Sequence, residues 1–188
     1  MKRELTITPT KIGGVLLYGA TVRADDRGEF VRHFNSVEIE EFGGKHTVAQ
    51  ANLVKTSRRG TFRGMHFQVD RFAETKLLSC VVGNVVCAVT DLRPFSPTFR
   101  QSQCVELSGD KYSFLLIPKG VASGYLTMSD SVIVHYYSTA PYSAADERGF
   151  RYDDPSTDIA LPFVPSLLSP KDQLWPPLSE YLHQISTL

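Results

Sequence analysis

The sequence predicts an all-β fold, a sandwich, jelly roll or barrel, and three observations point there. β-branched and apolar runs recur at Leu77 to Val82, Val85 to Val89, Ser113 to Ile117 and Val132 to Tyr137. Runs of this length and composition fit a pleated, half-buried surface. Turn-forming clusters punctuate the chain at Asp25-Asp26-Arg27-Gly28, Ser108-Gly109-Asp110, Pro118-Lys119-Gly120 and Ser129-Asp130-Ser131. Many short strands at such spacing mark layered or closed β architectures. Helical signals, by contrast, are few.

Element by element, the runs on either side of Gly83-Asn84 read as a hairpin, because a short glycine-containing break suits a tight turn. One short helix is expected over Ser36 to Phe42, with Asn35 or Ser36 as N-cap and Gly43-Gly44 as a stop. The tail from about residue 156 carries prolines at 162, 165, 170, 176 and 177, after Pro155. It reads as an irregular wrap with short helical turns on a single domain spanning 1–188. Leu178 to Ile185 could form a final short helix.

Composition narrows the partners. With 188 residues, 42% hydrophobic and 21% charged, the chain can bury a substantial core. Lys plus Arg (20) balances Asp plus Glu (20), so no overall charge draws it to nucleic acid or an anionic membrane. An anionic ligand would have to meet a local basic cluster. No apolar run reaches the ~18 residues of a membrane span. The N-terminus lacks the apolar centre of a signal peptide. Cys80, Cys87 and Cys104 are odd in number and form no CxxC pair; Cys80 and Cys87, in an apolar stretch, are expected to be buried free thiols, in a reducing, cytoplasmic setting.

Four polar features could carry chemistry. The densest is Arg58-Arg59-Gly60-Thr61-Phe62-Arg63-Gly64-Met65-His66-Phe67-Gln68. On a regular strand His66 and Gln68 share a face and Arg63 takes the other. Gly64 permits a bend or bulge that changes this. The others are Glu74-Thr75-Lys76, the pair Tyr136 and Tyr142 around Ser138-Thr139-Ala140-Pro141, and Lys171-Asp172 after Ser169-Pro170. Singly, each has a plain structural reading: a bonded core histidine, a solvated edge lysine, packed tyrosines, a surface charge pair.

Together and in this order they resemble the dTDP-4-dehydrorhamnose 3,5-epimerase family and its sugar-nucleotide relatives, from about Ile12 to Leu178. The resemblance rests on Asp26-Arg27-Gly28-Glu29-Phe30, Gln50-Ala51-Asn52, Arg63-Gly64-Met65-His66-Phe67-Gln68, Lys76-Leu77, Asp91-Leu92-Arg93, Ile117-Pro118-Lys119-Gly120, Tyr136, Tyr142 and Leu168-Ser169-Pro170-Lys171-Asp172. It implies a cupin-type β jelly roll with a few short helices. It also implies a homodimer in which an N-terminal strand pairs across the interface, and a nucleotide-linked 4-keto-6-deoxyhexose as substrate. No redox cofactor or metal is implied. His66 would be the base that removes a proton beside the C4 ketone, Asp172 its partner, Lys76 the stabiliser of the enolate and Tyr136 the acid on the opposite face. Arg27 and Arg63 would meet the diphosphate, and Phe30, Gln50, Asn52, Ser123 and Tyr142 would line the substrate pocket.

The sequence departs from that pattern at four places. Arg32 stands where the family has a glutamate, Ser123 where it has a histidine, Cys87 where it has an aspartate and Tyr152 where a tryptophan is frequent. These spare the proposed proton-transfer residues and bear on recognition. A CDP or GDP carrier, or inversion of one centre only, becomes an alternative. Two further readings compete. A metal-dependent cupin needs two or three histidines with a carboxylate, yet His33, His46, His135 and His183 form no His-x-His with His66. A non-catalytic sugar-nucleotide-binding homologue has no need of the full set of His66, Lys76, Tyr136 and Asp172.

Overall fold

The computed structural model describes residues 5–37, 40 and 47–181. Among the described residues, thirteen strands form two antiparallel sheets and a separate hairpin. The six-stranded sheet has the order β1 (Leu5–Pro9), β2 (Leu16–Ala20), β10 (Ser113–Ile117), β7 (Lys76–Val82), β12 (Val132–Ser138), β5 (Gln50–Thr56). The five-stranded sheet runs β13 (Glu147–Gly149), β6 (Phe62–Gln68), β11 (Val121–Thr127), β8 (Asn84–Asp91), β9 (Ser102–Ser108). The hairpin is β3 (Val22–Asp25) with β4 (Gly28–Val31), turning at Asp26-Arg27, and β4 opens on Gly28 with φ +123°. The expected jelly roll is therefore present.

The core lies between the sheets, where Leu78, Cys80, Val134 and Leu115 of one meet Val85, Cys87, Val89 and Tyr125 of the other. The five-stranded sheet is covered on its outer face too. Phe62, Met65, Ala88, Ala122 and Leu126 pack there beneath Phe150, Tyr152, Leu161, Phe163 and Leu168. The tail is held by Phe62 N–H donating to Leu167 O at 2.9 Å and by a parallel bridge from Thr61 to Leu167.

One expected element is corrected. The runs flanking Gly83-Asn84 do not pair: β7 belongs to the six-stranded sheet and β8 to the five-stranded one. Gly83, at φ +77°, carries the chain from one sheet to the other, and a Cβ there would sit 2.6 Å from Ser129 Oγ. The physical reason was visible in β8, which is apolar on consecutive residues and buried from Val85 to Asp91. Continuous apolar runs suit a strand covered on both faces, whereas a half-solvated hairpin alternates. The helix expected over 36–42 lies mostly outside the described residues. Of the final helix expected over Leu178 to Ile185, Leu178–Tyr181 forms a 3-10 turn and the rest of the span lies outside the described residues.

The irregularity that matters for the site is in β6. Its pairing with β11 matches Ser123 to His66 but Tyr125 to Arg63, so β6 spends one more residue than β11 over the same stretch. Gly64 sits in that stretch with φ +133°, and a Cβ on it would meet Gly124 Cα at 2.4 Å. The obstacle is backbone, which has nowhere to go. Gly64→Ala is expected to cost well over ~1 kcal/mol, read as a lower urea midpoint at unchanged m-value. A midpoint equal to wild type would show that the close approach of β6 and β11 is not required.

Candidate active site

The extra residue in β6 turns Arg63 and His66 to the same side, contrary to a regular strand, and both line one cleft opening between the sheets. The cleft has two lobes. An inner lobe of about 300 Å³ is lined by Arg63, Leu78, Ser123, Tyr125 and Asp172, among others. An outer lobe of about 120 Å³ is lined by Gln50, Asn52, Gln68, Glu74, Tyr142 and Glu147, among others. His66, Lys76 and Tyr136 line both and so stand where the lobes meet.

His66 is held from the tail. Its Nε2 lies 2.6 Å from Asp172 Oδ1. Asp172 sits in a four-residue helix, α1 (Pro170–Gln173), whose N-cap Ser169 accepts the Asp172 N–H at 3.0 Å. Proline at the first helical position suits this start. Trp175 donates from Nε1 to the same Oδ1 at 3.3 Å, and its ring meets His66 edge-on at 6.0 Å. Burial pushes the Asp172 carboxyl up, but the His66 contact, the Ser169 cap and the Trp175 bond together hold it below its ordinary value. A carboxylate so held fixes hydrogen on His66 Nε2. Nδ1, which makes no hydrogen bond among the described residues, is then the basic nitrogen.

Across the cleft, Lys76 opens β7 and pairs with Glu74 Oε1 at 3.1 Å, both nearly buried. Ser138, the register partner of Lys76 on β12, donates to the other oxygen of Glu74. Tyr136 is on β12, two residues earlier. Burial first, and then the charges of Glu74 and Glu147, raise its phenol, which stays protonated at neutral pH. His33 and His135 meet at 6.4 Å, with His135 on the face of β12 opposite Tyr136.

The outer wall is pinned by Gln68. Its amide donates to Phe72 O at 3.1 Å and Pro141 O at 3.2 Å and accepts Ser143 N–H at 2.7 Å, which fixes the loop bearing Tyr142. The exposed Tyr142 hydroxyl donates to Glu147 Oε2 at 2.7 Å, and Lys171 bonds the same oxygen. Gln50 accepts the Tyr142 N–H. Arg63 donates from Nε to Thr56 Oγ1 at 3.2 Å.

Nine of the eleven residues singled out in the sequence thus line one cleft. Arg27 and Phe30 do not: both lie on the exposed β3–β4 hairpin, where Arg27 grips Asp25. Sequence reasoning overlooked Trp175 and gave no role to Glu147, Lys171 or Tyr125. Trp175 is the chain's single tryptophan, three residues after Asp172, and that spacing was the available signal. Among the departures, Cys87 is wholly buried, with its thiol pushed up to about 12 by burial, and Tyr152 packs on Phe62 at 5.4 Å.

A family model described as dTDP-4-dehydrorhamnose 3,5-epimerase matches residues 9–180. The chain belongs to that family. A family member from Shigella flexneri, named dTDP-4-dehydrorhamnose 3,5-epimerase, is 36% identical over 168 residues, 89% of this chain and 93% of its own. Another from Streptomyces niveus, named dTDP-4-dehydrorhamnose 3-epimerase, is 34% identical over 90% of this chain and 82% of its own. Among solved structures, NovW of Streptomyces spheroides, a 4-keto-6-deoxy sugar epimerase from the novobiocin gene cluster, superposes with a TM-score of 0.89. It is 32% identical, over 96% of this chain and 91% of its own. Among the described residues no helix is long and apolar enough to cross a membrane.

The Asp172 carboxyl is more acidic in the fold than in the unfolded chain, so its contribution to stability is present above about pH 4 and is lost as pH falls through the folded value. Asp172→Asn is expected to be less stable than wild type at neutral pH, with the gap shrinking below about pH 4. Urea unfolding at several pH values checks this. A gap that stays constant down to acid unfolding would mean that the carboxylate charge does not hold the pair.

Proposed function

We propose that this chain is an isomerase that inverts C3, C5 or both in a nucleotide-linked 4-keto-6-deoxyhexose, by proton removal and return through an enolate. The observation that carries the reading is the His66–Asp172 pair facing Lys76 and Tyr136 at the junction of one cleft. Hydrogens on C3 and C5 are acidic because they flank the C4 ketone. Inversion needs a base on one face, an acid on the other and a positive charge near the oxygen that becomes an enolate. His66 Nδ1 is the base, and Asp172 steadies the imidazolium that forms. The Lys76 ammonium, paired with Glu74, meets the developing negative charge. The protonated Tyr136 phenol returns a proton from the opposite side. The scheme uses these side chains alone and calls on no cofactor.

Gln50, Asn52 and Tyr142 form the polar wall of the outer lobe, and Arg63 offers its guanidinium to the diphosphate. The Shigella flexneri and Streptomyces niveus relatives are named for dTDP-linked sugars, which makes dTDP the first carrier to test, with CDP and GDP as alternatives. The same relatives include a 3,5-epimerase and a 3-epimerase at nearly equal identity, so identity does not choose between one centre and two. A homodimer accounts for the exposed β3–β4 hairpin: Arg27 and Phe30, remote from their own cleft, would act at the partner's. Free thiols at Cys80, Cys87 and Cys104 suit the reducing cytoplasm.

In deuterated water the protein is expected to place deuterium at C3, C5 or both of a dTDP-linked 4-keto-6-deoxyglucose, read by NMR, and His66→Ala to place none. Deuterium at neither carbon with dTDP, CDP or GDP carriers would contradict the reading. Tyr136→Phe should keep exchange at the His66 face while inversion slows ~10²-fold or more. Equal loss of both would remove Tyr136 from the role of opposite acid. Sedimentation equilibrium should return twice the monomer mass, and a monomer at micromolar concentration would overturn the shared-site account of Arg27 and Phe30.

A further inference from the structure

Glu74 is a nearly buried carboxylate of the cleft that takes no proton in the scheme above. It lies two residues before Lys76, at the entry to β7, and both side chains line the outer lobe. Each oxygen of the carboxylate has its own partner. Oε1 lies 3.1 Å from Lys76 Nζ, and Oε2 accepts the Ser138 hydroxyl. Ser138 is 2% exposed and stands beside Lys76 in the register of β12 and β7. Its hydroxyl also reaches Ala140 O at 2.8 Å and accepts Ala140 N–H at 3.3 Å. The neighbouring residues are tied in the same way. Thr75 N–H donates to Thr139 Oγ1 at 2.9 Å, and Thr139 N–H donates to Thr75 O at 3.1 Å. Glu74 is therefore fixed to the end of the strand that carries Tyr136 and to the loop that leads to Tyr142.

The Lys76 ammonium, by contrast, has no other ion pair or hydrogen bond among the described residues. A flexible four-carbon stem lets an ammonium point several ways, and the contact with Glu74 selects one. Burial of an ion pair adds little net stability, because desolvation offsets the attraction. Stability alone is thus a weak reason for this pair to stand where the two lobes meet. A charge already in place when the enolate forms needs no reorganisation at that moment.

We propose that Glu74 is a positioning residue for the epimerisation, anchored by Ser138, which holds the Lys76 ammonium at the junction of the lobes on the side of the cleft that Tyr136 shares. The inference rests on the epimerase reading. It also ties the cation to the acid, because Glu74 acts on both. The Tyr136 phenol shares the cleft with Lys76 on β7, His66 and Arg63 on β6, and Glu147 on β13. Lys171 and Asp172 face it from the tail, and the Tyr125 and Tyr142 phenols from β11 and the loop after β12. Of these charges and that of Glu74, the two glutamates add to burial in raising the phenol. Glu147 is held by Lys171 and Tyr142. Without the Glu74 charge the phenol loses its proton at lower pH. Return of a proton needs the phenol protonated, so the alkaline fall in inversion then begins at lower pH.

The test follows inversion of a 4-keto-6-deoxyglucose carried by dTDP, CDP or GDP against pH, in wild type, Glu74→Gln and Glu74→Asp. Glu74→Gln keeps an acceptor for Ser138 and drops the charge. It is expected to lower kcat ~10-fold or more and to leave KM nearly unchanged, since other groups bind the nucleotide. Its alkaline limb should move to lower pH by ~0.5 unit or more. Glu74→Asp keeps the charge and draws the carboxylate back by one methylene, so it should lose kcat and keep the limb in place. A merely structural glutamate would change Tm or KM and not the limb. A Glu74→Gln limb at the wild-type position therefore overturns the role, as does wild-type kcat in either variant. If Glu74→Gln does not fold, the kcat of Glu74→Asp decides alone. Absence of inversion by wild type with all three carriers overturns the epimerase reading and this role with it.

Discussion

The contact on which the site depends is the one between His66 and Asp172. It joins residues 106 apart in the chain, one on a strand of the sandwich and one in the proline-rich tail. A histidine on β6 without this partner has either ring nitrogen free to carry the proton. With it, the proton is held on Nε2 and the other nitrogen is left basic. The tail therefore supplies one half of the pair, and its packing over the five-stranded sheet through Leu167, Leu168 and Phe163 delivers Asp172 to its place. Gly149, the register partner of His66 on β13, leaves room for Trp175, since a Cβ there would meet the indole at 2.4 Å. Trp175 in turn bonds Asp172.

The second constraint is the close approach of β6 and β11. Two glycines, Gly64 and Gly124, face each other where any side chain would collide with backbone. The extra residue this allows in β6 is what turns Arg63 toward the cleft beside His66. Charge is arranged around the same point. Glu74 steadies Lys76 from one side, while Glu147, tied to Lys171 and Tyr142, closes the rim on the other. Burial first raises the Glu147 carboxyl, and the bonds from Lys171 and Tyr142 and the nearby His66 hold it below its ordinary value. Of the cleft's cations, Lys76 and Lys171 are each matched by a glutamate, whereas Arg63 makes no ion pair among the described residues.

Much of this was legible in the sequence, and the parts that were not share a cause. Ser113 to Ile117 was bounded correctly because turn residues flank it on both sides. Strand pairing across Gly83 was misread because local turn chemistry does not say whether a glycine closes a hairpin or crosses between sheets. The doubly buried run of β8 held the answer. Resemblance supplied His66, Lys76, Tyr136 and Asp172, which the structure gathers from β6, β7, β12 and α1. Periodicity alone would have put Arg63 on the wrong face. Tyr125 was given no role because an aromatic residue in an apolar strand reads as core, and it does pack there while also lining the cleft. Arg27 and Phe30 lie on an exposed hairpin outside the cleft, a placement that no local pattern in the sequence signals.

The central claim is that Asp172 sets the tautomer of His66 and so makes Nδ1 the base. Nitrogen-15 NMR of histidine-labelled protein tests it most directly. The account predicts a His66 ring protonated at Nε2 and unprotonated at Nδ1 in the neutral form, with that preference weakened in Asp172→Asn. A neutral His66 carrying its proton on Nδ1, or a ring unaffected by Asp172→Asn, would contradict it.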